Sequence, residues 1–309
     1  MLNHRTRITI GALALLAGGL LAPAHAAEKI KVLIVDGQNN HNWQATTPLM
    51  KKALEESGHF TVDVATTPAK PKNTKEEQDA YKAAMAKFTP EFSKYAVVLS
   101  NYNGDMWPEA TRKALDEYLS SGKGGLVIVH AANNSFTGWV EYNEMIAMGW
   151  RDNKFGDRLI ADSNGQEKRV PKGQGPGAGH GPKHAFPVTI RDAKHAITQG
   201  MPAEWMHASD ELYHGMRGPA NNVHLLATAY SDKAKGGTGE HEPMIWTVTY
   251  GKGRVFHTPM GHDLEAMQCV GFVATLQRGT EWAATGEVTI PLSANFPTKE
   301  VRSFNLLGR

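Results

Sequence analysis

The run Gly124-Gly125-Leu126-Val127-Ile128-Val129 breaks off at His130-Ala131-Ala132-Asn133-Asn134. A short, unbroken apolar stretch that stops at polar residues suits a strand covered on both faces, the kind found inside a parallel α/β sheet. The loop after such a strand lies at the carboxyl edge, where open α/β sheets hold their ligands. In several folds of this kind the position carries a cysteine or serine nucleophile on a tight elbow. Here it carries a histidine followed by alanine, so the scaffold is expected without its usual nucleophile.

The flanking sequence keeps the same rhythm. Residues 30–35 and 60–65 predict strands, separated by a helix over 46–58 that Thr47-Pro48 opens and Gly58 closes. Residues 70–88 are Lys-rich with a helical middle, 95–99 predict a third strand, and 108–119 a helix with Leu115 and Leu119 on one face. This β-α-β-α-β order predicts an α/β fold: a three-layer, doubly wound, mostly parallel sheet with right-handed crossovers. Further strands are expected at 186–190, 222–229, 244–248 and 254–257, the last two joined by the hairpin signal Tyr250-Gly251-Lys252-Gly253. A helix from 264 to about 284 closes the domain. Residues 164–187 are rich in Gly, Pro and Lys and predict a long loop.

At the N-terminus, Arg5 and Arg7 precede an apolar stretch over 8–21 and then Pro23-Ala24-His25-Ala26. This pattern predicts a signal peptide over residues 1–26, cleaved after Ala26, and a periplasmic or secreted protein with no membrane partner. Residues 27–309 form one domain, since no linker divides them. The 33 basic and 31 acidic residues include no basic run interleaved with aromatics, which argues against a nucleic-acid partner. The single cysteine, Cys269, excludes an intrachain disulfide and sits at helical spacing among apolar residues, as a buried inert thiol would.

Candidate functional residues gather where strands are expected to end: Asn39 to Trp43, Asn101 to Asn103, His130 with Asn133, and His262-Asp263. On a shared carboxyl edge these loops converge. Their Asn, Tyr and Trp side chains suit a sugar, which needs paired donors and acceptors and an apolar ring face. The segment Trp205 to His214 holds the carboxylates Asp210 and Glu211 beside His207, Tyr213 and His214. It reads equally as an acid–base pair and as a capped helix start. His180 and His184 stand four apart, but Gly179, Gly181 and Pro182 argue against a helix that would align them on a metal. His224 and His257 fall inside strands and read as structural or surface residues, and His241 as solvated.

His41-Asn42-Trp43, Gly125 to Ala131, Asp210-Glu211-Leu212-Tyr213, and Pro243-Met244-Ile245-Trp246 through Tyr250-Gly251-Lys252-Gly253-Arg254-Val255-Phe256 to Gly261-His262 together resemble the ThuA-like (trehalose utilisation) family. The resemblance spans nearly all of the mature chain. It implies a class I glutamine amidotransferase-like, flavodoxin-like fold and a link to disaccharides and their keto derivatives. It does not imply amidotransferase activity, because His130-Ala131 stands where that chemistry needs cysteine. The expected catalytic groups are His130, Asp210, Glu211 and His262. The expected sugar-binding groups are His41, Trp43, Asn103, Asn133, His180, His184 and Tyr213. The leading expectation is a hydrolase, lyase or isomerase that needs no cofactor and takes a small sugar ligand. The alternatives are a non-catalytic sugar-binding module and a metal-dependent hydrolase using His41, His130 and His262.

Overall fold

The computed structural model describes Met1 and residues 28–71, 74–162 and 164–305. The expected signal peptide and its cleavage point at Ala26 lie outside the described residues. The first half of the chain alternates as expected: β1 (Ile30–Asp36), α1 (Trp43–Glu56), β2 (Phe60–Thr66), α2 (Lys75–Met85), β3 (Val97–Ser100), α3 (Glu109–Ser120), β4 (Gly125–Val129) and α4 (Val140–Ile146). The second half is mostly strand: β5 (Arg158–Ala161), β6 (Glu167–Val170), β7 (Pro187–Ile190), β8 (Glu204–Met206), β9 (Val223–Tyr230), β10 (His241–Tyr250) and β11 (Gly253–Thr258). Two helices follow, α5 (Leu264–Met267) and α6 (Val270–Thr285). No helix among the described residues is long and apolar enough to cross a membrane.

All the strands join one sheet in the order β2-β1-β3-β4-β11-β10-β9-β7-β8, with β5 attached to β10 and β6 to β5. From β2 to β11 every neighbour is parallel. From β11 onward every neighbour is antiparallel. The fold is α/β, but the sheet is mixed and not mostly parallel. Parallel neighbours need a crossover of about a dozen residues or more, and the short connections β9–β10 and β10–β11 allow only hairpins.

Each face of the sheet carries its own core. Val32, Ile34, Val127 and Val129 point to the face covered by α1 and α6, with Met50, Leu54, Phe272 and Leu276. Leu33, Val35, Leu126 and Ile128 point to the opposite face, with Leu115 and Leu119 of α3 and Tyr142 and Met145 of α4. The central strand β4 is therefore apolar without alternation because both its sides are dry. A Cβ on Gly125 would come within 2.2 Å of the Ala283 carbonyl oxygen. Gly125→Ala should thus lose about 1–3 kcal/mol, the usual penalty of overpacking, read as a lower denaturation midpoint at unchanged slope.

Three local expectations are corrected. Helix α1 begins a turn early, because the Asn42 side chain caps it at the Ala45 N–H, leaving Pro48 inside the helix. The final helix divides at Gln268-Cys269, where Cys269 turns extended and pairs with Phe304. Residues 207–214 form no helix. Their backbone bridges to the loop before β7 instead, at His184–Asp210 and Gly179–His214.

Candidate functional site

His130 is the first residue after β4 and has φ 46°. A non-glycine residue in this left-handed region costs on the order of 1–3 kcal/mol and persists only where its surroundings enforce it. The ring is buried, and its Nδ1 lies 2.7 Å from the Pro259 carbonyl oxygen after β11. A carbonyl can only accept, so Nδ1 carries the hydrogen and Nε2 presents its lone pair. Burial, aided by the His41 and His262 rings, lowers the His130 pKa to about 3 against the pull of Asp210.

His41 approaches from the loop after β1. The Asn101 carboxamide is held by Thr46 and Thr47, and Asn39 donates to the Asn101 oxygens. Asn39 Oδ1 is left to accept from the His41 backbone N–H at 3.0 Å and from its Nδ1 at 3.2 Å. The His41 Nε2 lone pair therefore also points inward, 3.4 Å from His130 Nε2. Burial, with the nearby His262, lowers its pKa to about 4. Both imidazoles are neutral at pH 7.

Glu211 stands between them and two further histidines. Its Oε2 lies 3.7 Å from His130 Nε2 and 3.9 Å from His41 Nε2. Its Oε1 lies 3.3 Å from His262 Nε2 and 3.5 Å from His180 Nε2. His180 Nδ1 is occupied by the Gly181 carbonyl at 2.8 Å. Tyr213 brings its hydroxyl within 3.1 Å of His130 Nε2. Burial, reinforced by Glu211 and Asp210, raises the phenol far above its ordinary pKa, so it stays a donor. His41, His130, Glu211 and His262, expected far apart in sequence and close in space, do form one cluster, with His180 and Tyr213 at its edge.

Asp210 sits behind this cluster, not in it. It is fully buried. One oxygen accepts from His207 Nε2 at 2.8 Å and the Gly261 N–H at 2.7 Å. The other accepts from the N–H groups of Glu211 and His262 at 2.8 and 3.1 Å. It has no face toward a ligand, so the expected catalytic place for Asp210 becomes a supporting one. It ties the Glu211 segment to the loop carrying His262.

Two clefts meet at His41. One, of about 450 Å³, is lined by Asn40, His41, Thr46, His262 and Leu264. The other, of about 250 Å³, is lined by Asn40, Asn134, Trp150, His180, Glu211 and Tyr213. Several expected sugar contacts fall outside both. Asn133 is buried against His257 and Met216, because the tight turn after His130 aims Asn134 outward in its place. His184 bonds to the Pro182 carbonyl and packs on Phe186. Trp43 opens α1 without lining either cleft. Asn103 acts at one remove, holding Asn40 at 2.6 Å. Asn40 belongs to the loop expected to contribute after β1, whereas Asn134 and Trp150 were not expected. Asn134 adjoins a residue already singled out; Trp150 carried no signal beyond its type.

One side chain gathers much of the Gly-rich segment. The fully buried Arg217 donates to the carbonyls of Gly156, Pro171, Gln174 and Pro176. This holds the chain that leads to His180. Arg217→Ala should free the segment, with hydrogen exchange over residues 171–181 speeding up by at least tenfold. Unchanged protection would show that the loop stands without the arginine.

A family model described as trehalose utilisation, ThuA, matches residues 31–283. The chain belongs to the ThuA family. A ThuA-like protein from Parabacteroides merdae ATCC 43184 is similar at 42% identity, over 90% of this chain and 98% of its own, with a TM-score of 0.82. A ThuA-like protein from Bacteroides uniformis ATCC 8492 is 19% identical over 87% of this chain and 97% of its own, with a TM-score of 0.56, a likeness of fold alone. No match was found among curated proteins.

Proposed function

We propose that this ThuA protein is an extracytoplasmic carbohydrate-active enzyme, a hydrolase, lyase or isomerase of a disaccharide, glycoside or keto-sugar, and not an amidotransferase. The observation that carries the reading is the Glu211 carboxylate ringed by four imidazoles near the meeting point of two clefts. Such a group can take a proton from a sugar hydroxyl, or from a carbon beside a keto group. The carboxyl so protonated can then hand that proton to the leaving oxygen. Asn40 and Asn134 supply hydroxyl partners, and Trp150 and Tyr213 supply ring surfaces. The family description supports the sugar class. The parallel order β2-β1-β3-β4-β11 supports a flavodoxin-like ancestry for the scaffold. The Arg-led apolar N-terminus supports an address outside the cytoplasm.

The test is incubation with trehalose, its 3-keto form and related glycosides, with products followed by chromatography. Turnover of at least one, lost in a Glu211→Gln variant, is the expected result. Ligand-induced thermal shifts with no product from any of them would instead establish a binding module.

A further inference from the structure

We propose that His41, His130 and Glu211 bind one first-row divalent metal ion, of the Zn²⁺ class, at the junction of the two clefts. The inference concerns side chains used in the enzyme reading but needs no sugar, so either can fail alone.

His41 and His130 each commit Nδ1 to a carbonyl oxygen. Their Nε2 lone pairs then face the Glu211 carboxylate, itself an acceptor. Among the described residues no lysine or arginine forms an ion pair with Glu211. The one O–H donor at the centre is Tyr213, on His130. Lone pairs of two neutral rings and a mostly buried carboxylate thus converge without the positive charge that would make them attract. A cation in their midst turns this repulsion into coordination.

Ligand type and spacing agree. Two imidazoles with one carboxylate make a donor set used for zinc and for other first-row ions. The three donor atoms stand 3.4, 3.7 and 3.9 Å apart. A tetrahedral ion with bonds of about 2.0–2.1 Å sets its donors roughly 3.3–3.4 Å apart, so tenths of an ångström close the site. The outer contacts match as well. Metal-bound histidines usually donate their second N–H to a carbonyl or carboxylate. Here Pro259 and Asn39 already take those hydrogens. Tyr213, once the metal takes the His130 lone pair, has its O–H free for a metal-bound oxygen. His262 and His180 face the second carboxylate oxygen from the cleft side.

The experiment uses the full mature chain, stripped with chelator and titrated calorimetrically with Zn²⁺, then with Co²⁺, Ni²⁺ and Mn²⁺, with no sugar present. Expected are one equivalent of at least one ion with Kd below about 1 μM, a rise in Tm, and a visible absorption band on Co²⁺ loading. His41→Ala and Glu211→Gln should weaken binding at least 100-fold. Asn39→Ala, which leaves every ligand in place, should weaken it about 10- to 100-fold. His224→Ala, a surface control, should change nothing. His130→Asn keeps a residue type that tolerates positive φ, so it tests the third ligand in a folded protein. Absence of saturable binding by the wild type overturns the proposal. So does one-equivalent binding that survives both His41→Ala and Glu211→Gln.

Discussion

Asp210→Ala will unfold the protein at markedly lower denaturant than the wild type, a loss of about 3–5 kcal/mol typical of breaking one side of a buried ion pair. The reason lies in what the carboxylate holds. His207 would remain buried with no counter-charge, and the N–H groups of Gly261, His262 and Glu211 would lose their acceptor. Asp210→Asn keeps the volume but offers one acceptor oxygen in place of two, so it should recover only part of the loss. A full return of stability in Asp210→Asn would show that shape matters here and charge does not.

The same pair gives stability a pH dependence. Burial alone would lower the His207 pKa, but Asp210 and the neighbouring Cys269 thiol more than offset it and hold the ring at about 9. Burial alone would raise Asp210, and His207 overrides it, bringing the carboxyl to about 2. A raised histidine stabilises fully below its unfolded value near 6.5 and loses that contribution as pH climbs through 9. A depressed aspartate stabilises above its unfolded value near 3.8 and loses that contribution as pH falls through 2. The wild type should therefore hold its largest advantage over His207→Gln between about pH 4 and 6.5, and the gap should narrow by pH 9. Paired urea titrations across that range measure it. A gap that is flat or widening toward pH 9 would mean His207 is not charged in the fold.

Glu211→Gln carries the second large effect. On any substrate the protein turns over, the rate should fall about 100- to 10,000-fold, the usual contribution of a positioned acid–base group. The fold should survive, because the Glu211 backbone N–H, not its side chain, makes the bond to Asp210. Near-isosteric glutamine keeps the cleft shape and removes the ionisable oxygen. Loss of rate, with a Tm equal to that of the wild type when both are metal-free and an unchanged sugar-induced thermal shift, separates chemistry from binding. A rate within threefold of the wild type would move the centre away from this carboxylate.

Much of the site was legible because physical rules fix where loops go. His41, His130 and His262 each follow a strand of the parallel half, and such loops share one edge. Glu211 stood out as a carboxylate among histidines. Its role was separable from that of Asp210 only once burial was known, since adjacent side chains in extended backbone point opposite ways. Asn133 and Asn134 were exchanged for a related cause: a tight turn after a left-handed residue decides which of two neighbours faces out. The antiparallel half was less legible. Strands as short as Glu204–Met206 and Arg158–Ala161 carry too few residues to show a period. The Gly-rich stretch read as a loop, and nothing in its composition showed that a distant arginine organises it.

That arginine has an evolutionary corollary. A guanidinium that grips main-chain oxygens alone is blind to the letters attached to them. Mutations can rewrite the outward side chains of residues 171–181 while the ribbon keeps its course, provided the turns remain passable. One rim of the cavity is thereby free to drift toward new specificities, while the reactive middle rests on the rigid strands below.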